Sequence, residues 1–252
     1  MSSWPFPRML AHRGGGTLAP ENTLAAMRCG LQYGFRAVEF DVMLAQDGVP
    51  VVIHDSRLGR TVDGNADIAS LTSAQLGTMD AGSWFDKTFI GEPVPTFEQV
   101  FSFCRVNGIW MNIEIKPSAG TAIETGQIVA TMVQNWIAYD DPMPPLLSSF
   151  SFVAMEAAMR AAEAIPRGWL VDRIPSGWQQ QLKRLNAVAL HANQKHLTRT
   201  LVEDVKNHGV GVLCYTVNDP ARAVTLFEWG VDAMCTDRLD LIGPHFDATY
   251  FP

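Results

Sequence analysis

Residues 37–44 read Ala37-Val38-Glu39-Phe40-Asp41-Val42-Met43-Leu44, an apolar run carrying two acids set two apart. Such a run reads as a buried β-strand. Side chains at i and i+2 of a strand leave the same face, so Glu39 and Asp41 point together. A second run, residues 110–116 (WMNIEIK), repeats the device with Glu114 and Lys116 on one face. Carboxylates converging at a sheet end repel each other and lose hydration, and they stay ionised only beside positive charge. A hard divalent cation with oxygen ligands meets that need, and so does Lys116. Taken alone, the acidic pair also fits an exposed strand face, so the rest of the chain has to decide.

Working outward, residues 8–11 form a short apolar strand ending at His12-Arg13-Gly14-Gly15-Gly16. Pro20-Glu21-Asn22-Thr23 opens a helix through about residue 33, where Gly34 stops it. Beyond the acidic strand, Gln46-Asp47-Gly48 is a turn, and residues 49–53 make a short strand that delivers His54-Asp55. Residues 56–95 lose periodicity and mix turns with short helical pieces, an excursion that Trp84 and Phe85 are expected to anchor to the main body. After it, amphipathic helices and short apolar strands alternate to residue 235, giving about eight βα units with short connections. That is the layout of a (β/α)8 barrel with a small insertion after the second strand. A doubly wound open sheet is the runner-up, but no Gly-rich nucleotide turn follows the first strand. We expect one domain over residues 1–252, the insertion at about 56–95 included.

Composition agrees with that size. A chain of 252 residues, 47% hydrophobic, suits one large barrel core. With 19 basic against 26 acidic residues the net charge is −7, which argues against nucleic acid or an anionic membrane as an obligatory partner. The four cysteines, Cys29, Cys104, Cys214 and Cys235, show no metal-finger spacing, and Cys214 and Cys235 sit in strand-like runs where a buried thiol is expected. No cleavable signal and no membrane span are visible, so a cytoplasmic location is expected. Trp136, Tyr139 and Trp178 are expected in the core; oligomeric state is open, a homo-oligomer being compatible.

Barrel enzymes carry their chemistry at the C-terminal ends of the strands. Applied here, that rule collects His12 and Arg13, Glu39 and Asp41, His54, and Glu114 and Lys116. Each has a bland alternative: a core histidine, a plain glycine turn, a surface strand end. Together they suit phosphodiester cleavage. Three carboxylates can hold one divalent ion, Arg13 and Lys116 can stabilise phosphoryl charge, and two histidines can serve as base and acid.

The ordered set His12-Arg13-Gly14, Pro20-Glu21-Asn22-Thr23, Glu39-x-Asp41, Asp47-Gly48, His54-Asp55, Arg60-Thr61 and Glu114-x-Lys116 resembles the glycerophosphodiester phosphodiesterases. GSWF, GEPVPTF, LLSSF, YTVN and GVDAMCTD extend the resemblance over nearly the whole chain. The opening SSWPFPRMLAHRGGGTLAPENTLAA and closing IGPHF segments are similar to bacterial cytosolic members that accompany glycerol 3-phosphate uptake. The resemblance implies a barrel and a magnesium or calcium ion on Glu39, Asp41 and Glu114. It also implies His12 and His54 as the acid–base pair, and Arg13 and Lys116 toward phosphate. The implied partner is a small-molecule glycerophosphodiester, hydrolysed to sn-glycerol 3-phosphate and an alcohol. With a vicinal hydroxyl in the substrate and no protein nucleophile, a cyclic phosphate intermediate is expected. Tyr215 stands where the broader family often has Trp. Competing readings are a lysophospholipase D or sphingomyelinase D-like activity, a sugar isomerase, and a non-catalytic metal- or phosphate-binding barrel.

Overall fold

The computed structural model describes residues 4–138 and 140–246, so the expectation for Tyr139 lies outside the described residues. The chain runs β1 (Met9–His12), α1 (Leu24–Gln32), β2 (Ala37–Leu44), β3 (Pro50–Val52), α2 (Ser73–Leu76), α3 (Phe97–Val106) and β4 (Trp110–Ile115). It continues α4 (Ala122–Trp136), β5 (Leu146–Ser149), α5 (Phe152–Ala161), β6 (Arg167–Val171), α6 (Trp178–Leu185), β7 (Ala189–Asn193), α7 (Arg199–Asn207), β8 (Gly211–Tyr215), α8 (Pro220–Glu228) and β9 (Ala233–Thr236). Strand order β1-β9-β8-β7-β6-β5-β4-β2, closed by β1 pairing β2, makes a parallel eight-stranded barrel. The short β3 pairs antiparallel with the end of β2 and is outside the barrel. Capping side chains start the helices: Thr96 and Gln99 form a reciprocal box on α3, and Asp219 with Pro220 opens α8.

Strand register positions the site. His12 pairs with Glu39, Glu39 with Asn112, and Asn112 with Leu146. Closure staggers each strand by about one residue, so inward side chains stack in tiers drawn from alternate strands. From the bottom upward, one tier is Leu10, Asn112, Gly168 and Leu213, and the next is Glu39, Ser148, His191 and Cys235. Above them lie His12, Glu114, Leu170 and Tyr215, then Asp41 among the loops. Polarity therefore rises steeply toward the C-terminal ends of the strands, while the outward faces pack apolar side chains on the helices.

The N-terminal end of the barrel is closed by residues that precede β1. Phe6 stacks on Trp110 at 4.9 Å between ring centroids, and Trp4 meets Phe6 edge-on at 5.1 Å. Trp4 lies so close to Gly211 that an added Cβ there would come within 2.6 Å of its ring. Phe6→Ala is expected to cost about 2 kcal/mol, because a half-buried aromatic leaves part of the plug unfilled. Thermal unfolding should register that loss while kcat and KM stay unchanged, the plug being at the far end from the site.

Residues 53–95 build their own small core of Ile53, Leu58, Val62, Ile68, Leu76 and Val94 against Met43 and Val51. Trp84 does not anchor this segment to the barrel. It is 41% exposed, donates to its neighbour's carbonyl at Ala81 and packs edge-on with Phe85, which in turn meets Phe89 of the same segment. The apolar contact with Met43 of β2 makes part of the attachment, and polar groups add to it. Glu92 accepts from the Ala25 amide at the start of α1 (2.7 Å) and pairs with Arg28 (3.2 Å). A carboxylate at a helix N-terminus is favourable on both hydrogen-bond and dipole grounds.

Other expectations resolve simply. Trp136 packs on Phe97 and Phe101, and Trp178 is buried. Cys104, Cys214 and Cys235 are buried free thiols and Cys29 is half-buried. Among the described residues no helix is long and apolar enough to cross a membrane.

Candidate active site

The strand β1 runs one residue further than its apolar run suggests, so that His12 sits on the strand end with its imidazole inside. Arg13 follows in the left-handed region at φ 51° and turns the chain sharply. The glycines after it serve close packing. A Cβ on Gly16 would collide with the Asp237 carbonyl at 2.2 Å, and the Thr17 amide donates to that same carbonyl at 2.9 Å. The run thus fastens the loop after β1 to the loop after β9 and sets Asp237 beside His12.

Pro20-Glu21-Asn22-Thr23 is a turn, and the expected helix begins only at Leu24, with Thr23 as its cap. Asn22 takes φ 61° and is buried. Its side chain donates to Asp41 Oδ2 at 2.8 Å and accepts from the Asp41 amide at 3.2 Å. A helical Asn22 could not reach back in this way, which is why the helix starts late.

Glu39, Asp41 and Glu114 present carboxylate oxygens that all lie within 4.8 Å of one another. Lys116 Nζ stands 3.5 Å from Asp41 and 3.9 Å from Glu114, and Arg13 Nε stands 3.6 Å from Asp41. The charges divide unevenly. Burial pushes the Asp41 carboxyl up, but Lys116, Arg13, His54 and the Asn22 hydrogen bond together bring it below the usual carboxylate range. Burial, reinforced by the charges of Asp41 and Glu114, holds Glu39 well above that range. Burial and Asp41 likewise push Glu114 up to about 8. Two protein cations cannot neutralise three buried carboxylates. The donor set, three hard oxygens in one small volume, fits a magnesium- or calcium-type ion.

Each histidine is held through Nδ1 by a carboxylate. His12 bonds Asp237 Oδ1 at 2.5 Å, and Asp237 is held in turn by Asn218 at 2.8 Å. His54 bonds Asp55 Oδ1 at 2.6 Å, and Asp55 Oδ2 accepts from Arg60 at 2.6 Å. Arg60 then grips Glu21 with two bonds of 2.7 Å, and Glu21 accepts from Arg13 Nη1 at 2.7 Å. Both imidazoles thereby turn Nε2 toward the site, where His12 Nε2 stands 3.7 Å from Glu39 Oε2. Burial depresses the His54 pKa, against the pull of Asp41.

His12, Arg13, Glu39, His54, Glu114 and Lys116 line one cavity of about 740 Å³ at the strand ends. A second groove of about 630 Å³ shares His54, Glu114 and Lys116 and runs toward Arg57 and Arg60 of the inserted segment. The strand-end rule thus brings together the residues it singles out, with Asp41 just behind the cavity wall. Sequence reasoning misses Asp237, Asn218 and the Glu21–Arg60 link. Asp237 follows the last strand, so the same rule, carried one strand further, would have found it.

Fold and site define a barrel enzyme whose acidic, histidine-flanked cavity is suited to phosphate esters. The chain belongs to the Glycerophosphoryl diester phosphodiesterase family, whose model matches residues 12–241. It is 31% identical to a glycerophosphodiester phosphodiesterase of Caldanaerobacter subterraneus, over 91% of this chain and 93% of that one. A phosphodiesterase of Oleispira antarctica, solved in complex with the product sn-glycerol-3-phosphate, superimposes with a TM-score of 0.87 at 38% identity, covering 92% of this chain and 93% of the other. A glycerophosphodiester phosphodiesterase from Agrobacterium tumefaciens gives a TM-score of 0.78 at 26% identity, over 94% and 98% of the two chains.

Proposed function

We propose that this protein hydrolyses glycerophosphodiesters to sn-glycerol 3-phosphate and a free alcohol in the cytoplasm. The observation that carries the reading is the convergence of three buried carboxylates with two carboxylate-braced histidines at one cavity. The product bound by the Oleispira protein, similar in fold over most of the chain, supports this ligand class. Free, mostly buried thiols agree with a reducing compartment.

A divalent cation, magnesium or calcium, would be held by Glu39, Asp41 and Glu114 and would supply charge neutralisation at the phosphate. Lys116 and Arg13 add fixed positive charge toward the phosphoryl oxygens, where the developing negative charge is concentrated. The Cys235 thiol in the cavity lining is buried and its pKa is pushed well up, so in this reading the substrate's own glycerol 2-hydroxyl attacks phosphorus. One imidazole takes the hydroxyl proton through Nε2 as the new P–O bond forms. The other gives its proton to the departing alcohol as the old P–O bond breaks. Asp237 and Asp55 fix the tautomers by occupying Nδ1 and stabilise whichever ring becomes cationic. Water then opens the cyclic phosphate with the two rings exchanging roles.

The test is release of sn-glycerol 3-phosphate from glycerophosphocholine, with a 2-deoxyglycerol analogue run in parallel. Turnover of the first and none of the second is the expected result. Rapid cleavage of the deoxy analogue would remove the cyclic route and keep the hydrolase. Failure on every glycerophosphodiester, with cleavage of a lyso-lipid, would replace the substrate class.

A further inference from the structure

The tier that holds Glu39, and the one beneath it, carry groups that an apolar barrel floor does not need. Asn112, Ser148 and His191 are buried, and Asn112 Oδ1, Ser148 Oγ and both His191 ring nitrogens have no hydrogen-bond partner among the described residues. Strand register places Ser148 and His191 in the same tier as Glu39, with Asn112 one tier below. Gly168 is what makes room for the imidazole. A Cβ at that position would stand 2.3 Å from His191 Nε2, so any other residue there would displace the ring. Asn112 and His191 line the same cavity as Glu39 and Glu114, between the apolar walls of Leu170 and Leu213. Burial holds the His191 pKa down to about 3, so the ring is neutral and offers one donor and one acceptor.

A buried imidazole, hydroxyl and amide oxygen left unpaired cost stability that leucine or phenylalanine in the same space would not. Their chemistries also match one small ligand. Water donates twice and accepts twice, and it settles where two to four polar groups converge in an otherwise apolar cavity.

We infer that Asn112, Ser148 and His191 bind ordered water beside and beneath Glu39, and that this hydrated layer positions the Glu39 carboxylate for its cation. The assignment rests on Glu39 being a cation ligand, as proposed above. In it the three residues are positioning residues, acting on the cation through water and Glu39. Partners of metal ligands at this remove typically change affinity by about 10- to 100-fold when lost.

Three measurements decide it. A high-resolution crystal structure of the full chain is expected to show water bonded to at least two of the three side chains, and a dry tier would overturn the site. Calorimetric titration of metal-stripped protein with magnesium or calcium is expected to show about tenfold weaker binding in His191→Leu. Ser148→Ala, which removes one hydroxyl without opening a large void, should shift affinity the same way, and His191→Gln should recover part of the loss. Melting temperatures of the cation-free variants should stay level or rise, since apolar filling relieves unpaired groups. Unchanged cation affinity in folded His191→Leu and Ser148→Ala would overturn the positioning role. A wild-type chain that binds neither cation would overturn that role together with the cation reading, and the crystallographic density would still judge the water site on its own.

Discussion

Protein stripped of divalent cations is expected to release no sn-glycerol 3-phosphate from glycerophosphocholine, and adding magnesium or calcium is expected to restore it. The charge balance of the site gives the reason. Lys116 and Arg13, with His54 and the Asn22 hydrogen bond, keep Asp41 ionised, yet Glu39 and Glu114 remain pushed toward their neutral forms by burial and by the charge of Asp41. A dication among the three removes both penalties at once. The sign for pH follows. Glu114, raised to about 8, holds a proton at pH 7 in the cation-free protein, and a cation must displace it. Affinity should therefore rise by about tenfold per pH unit below 8 for one displaced proton and flatten above. Titrations in buffers of different ionisation enthalpy measure the proton release directly. Glu39→Ala is expected to abolish both binding and turnover, a loss of several kcal/mol at the transition state or at least about 10³-fold in rate. Full activity in exhaustively chelated wild type would sink the cation role and leave Lys116 and Arg13 as the only counter-charges.

The parts of this site legible in the sequence are those whose meaning is local. The two-residue spacing in Glu39-Phe40-Asp41 and in Glu114-Ile115-Lys116 fixes which way the side chains point, and strand ends mark where they emerge. His12 and His54 follow from the same logic. Asp237 does not, because its meaning lies in His12, 225 residues earlier in the chain, and only closure of the barrel brings them together. Asn22 is misread for a different reason. Pro-Glu-Asn-Thr is a sound helix opening by composition, but two hydrogen bonds to Asp41 hold Asn22 in the left-handed region and delay the helix by a turn. The tier of Ser148 and His191 is invisible for want of register: LLSS and ALHAN read as ordinary strands until their inward residues are aligned. Residues 53–95 carry no periodicity because their small core is assembled from turns, and the aromatic pair Trp84 and Phe85 packs edge-on outside that core.

His12→Ala and His54→Ala are each expected to lower kcat by about 10²–10⁴-fold, with little change in cation affinity. The two should then separate on a substrate whose departing oxygen is replaced by sulfur. A thiolate needs no proton to leave, so the variant missing the acid regains activity, and the variant missing the base does not. The bracing carboxylates sharpen the distinction. Asp55 is held at about 2, with burial opposed by its bonds to Arg60 and His54, so it stays anionic across the working range. Asp237 is likewise held low, burial being outweighed by His12 and Asn218. Each imidazole therefore works against a fixed negative partner, and geometry toward the substrate divides the roles. Arg60 ties Asp55 to Glu21, and Glu21 ties back to Arg13, so hydrogen bonds join the inserted segment to the loop after β1 at the rim of the cavity. Rescue of neither histidine variant by sulfur would mean that neither ring is the required acid. The proton would then have to reach the leaving group from solvent along the groove beside His54.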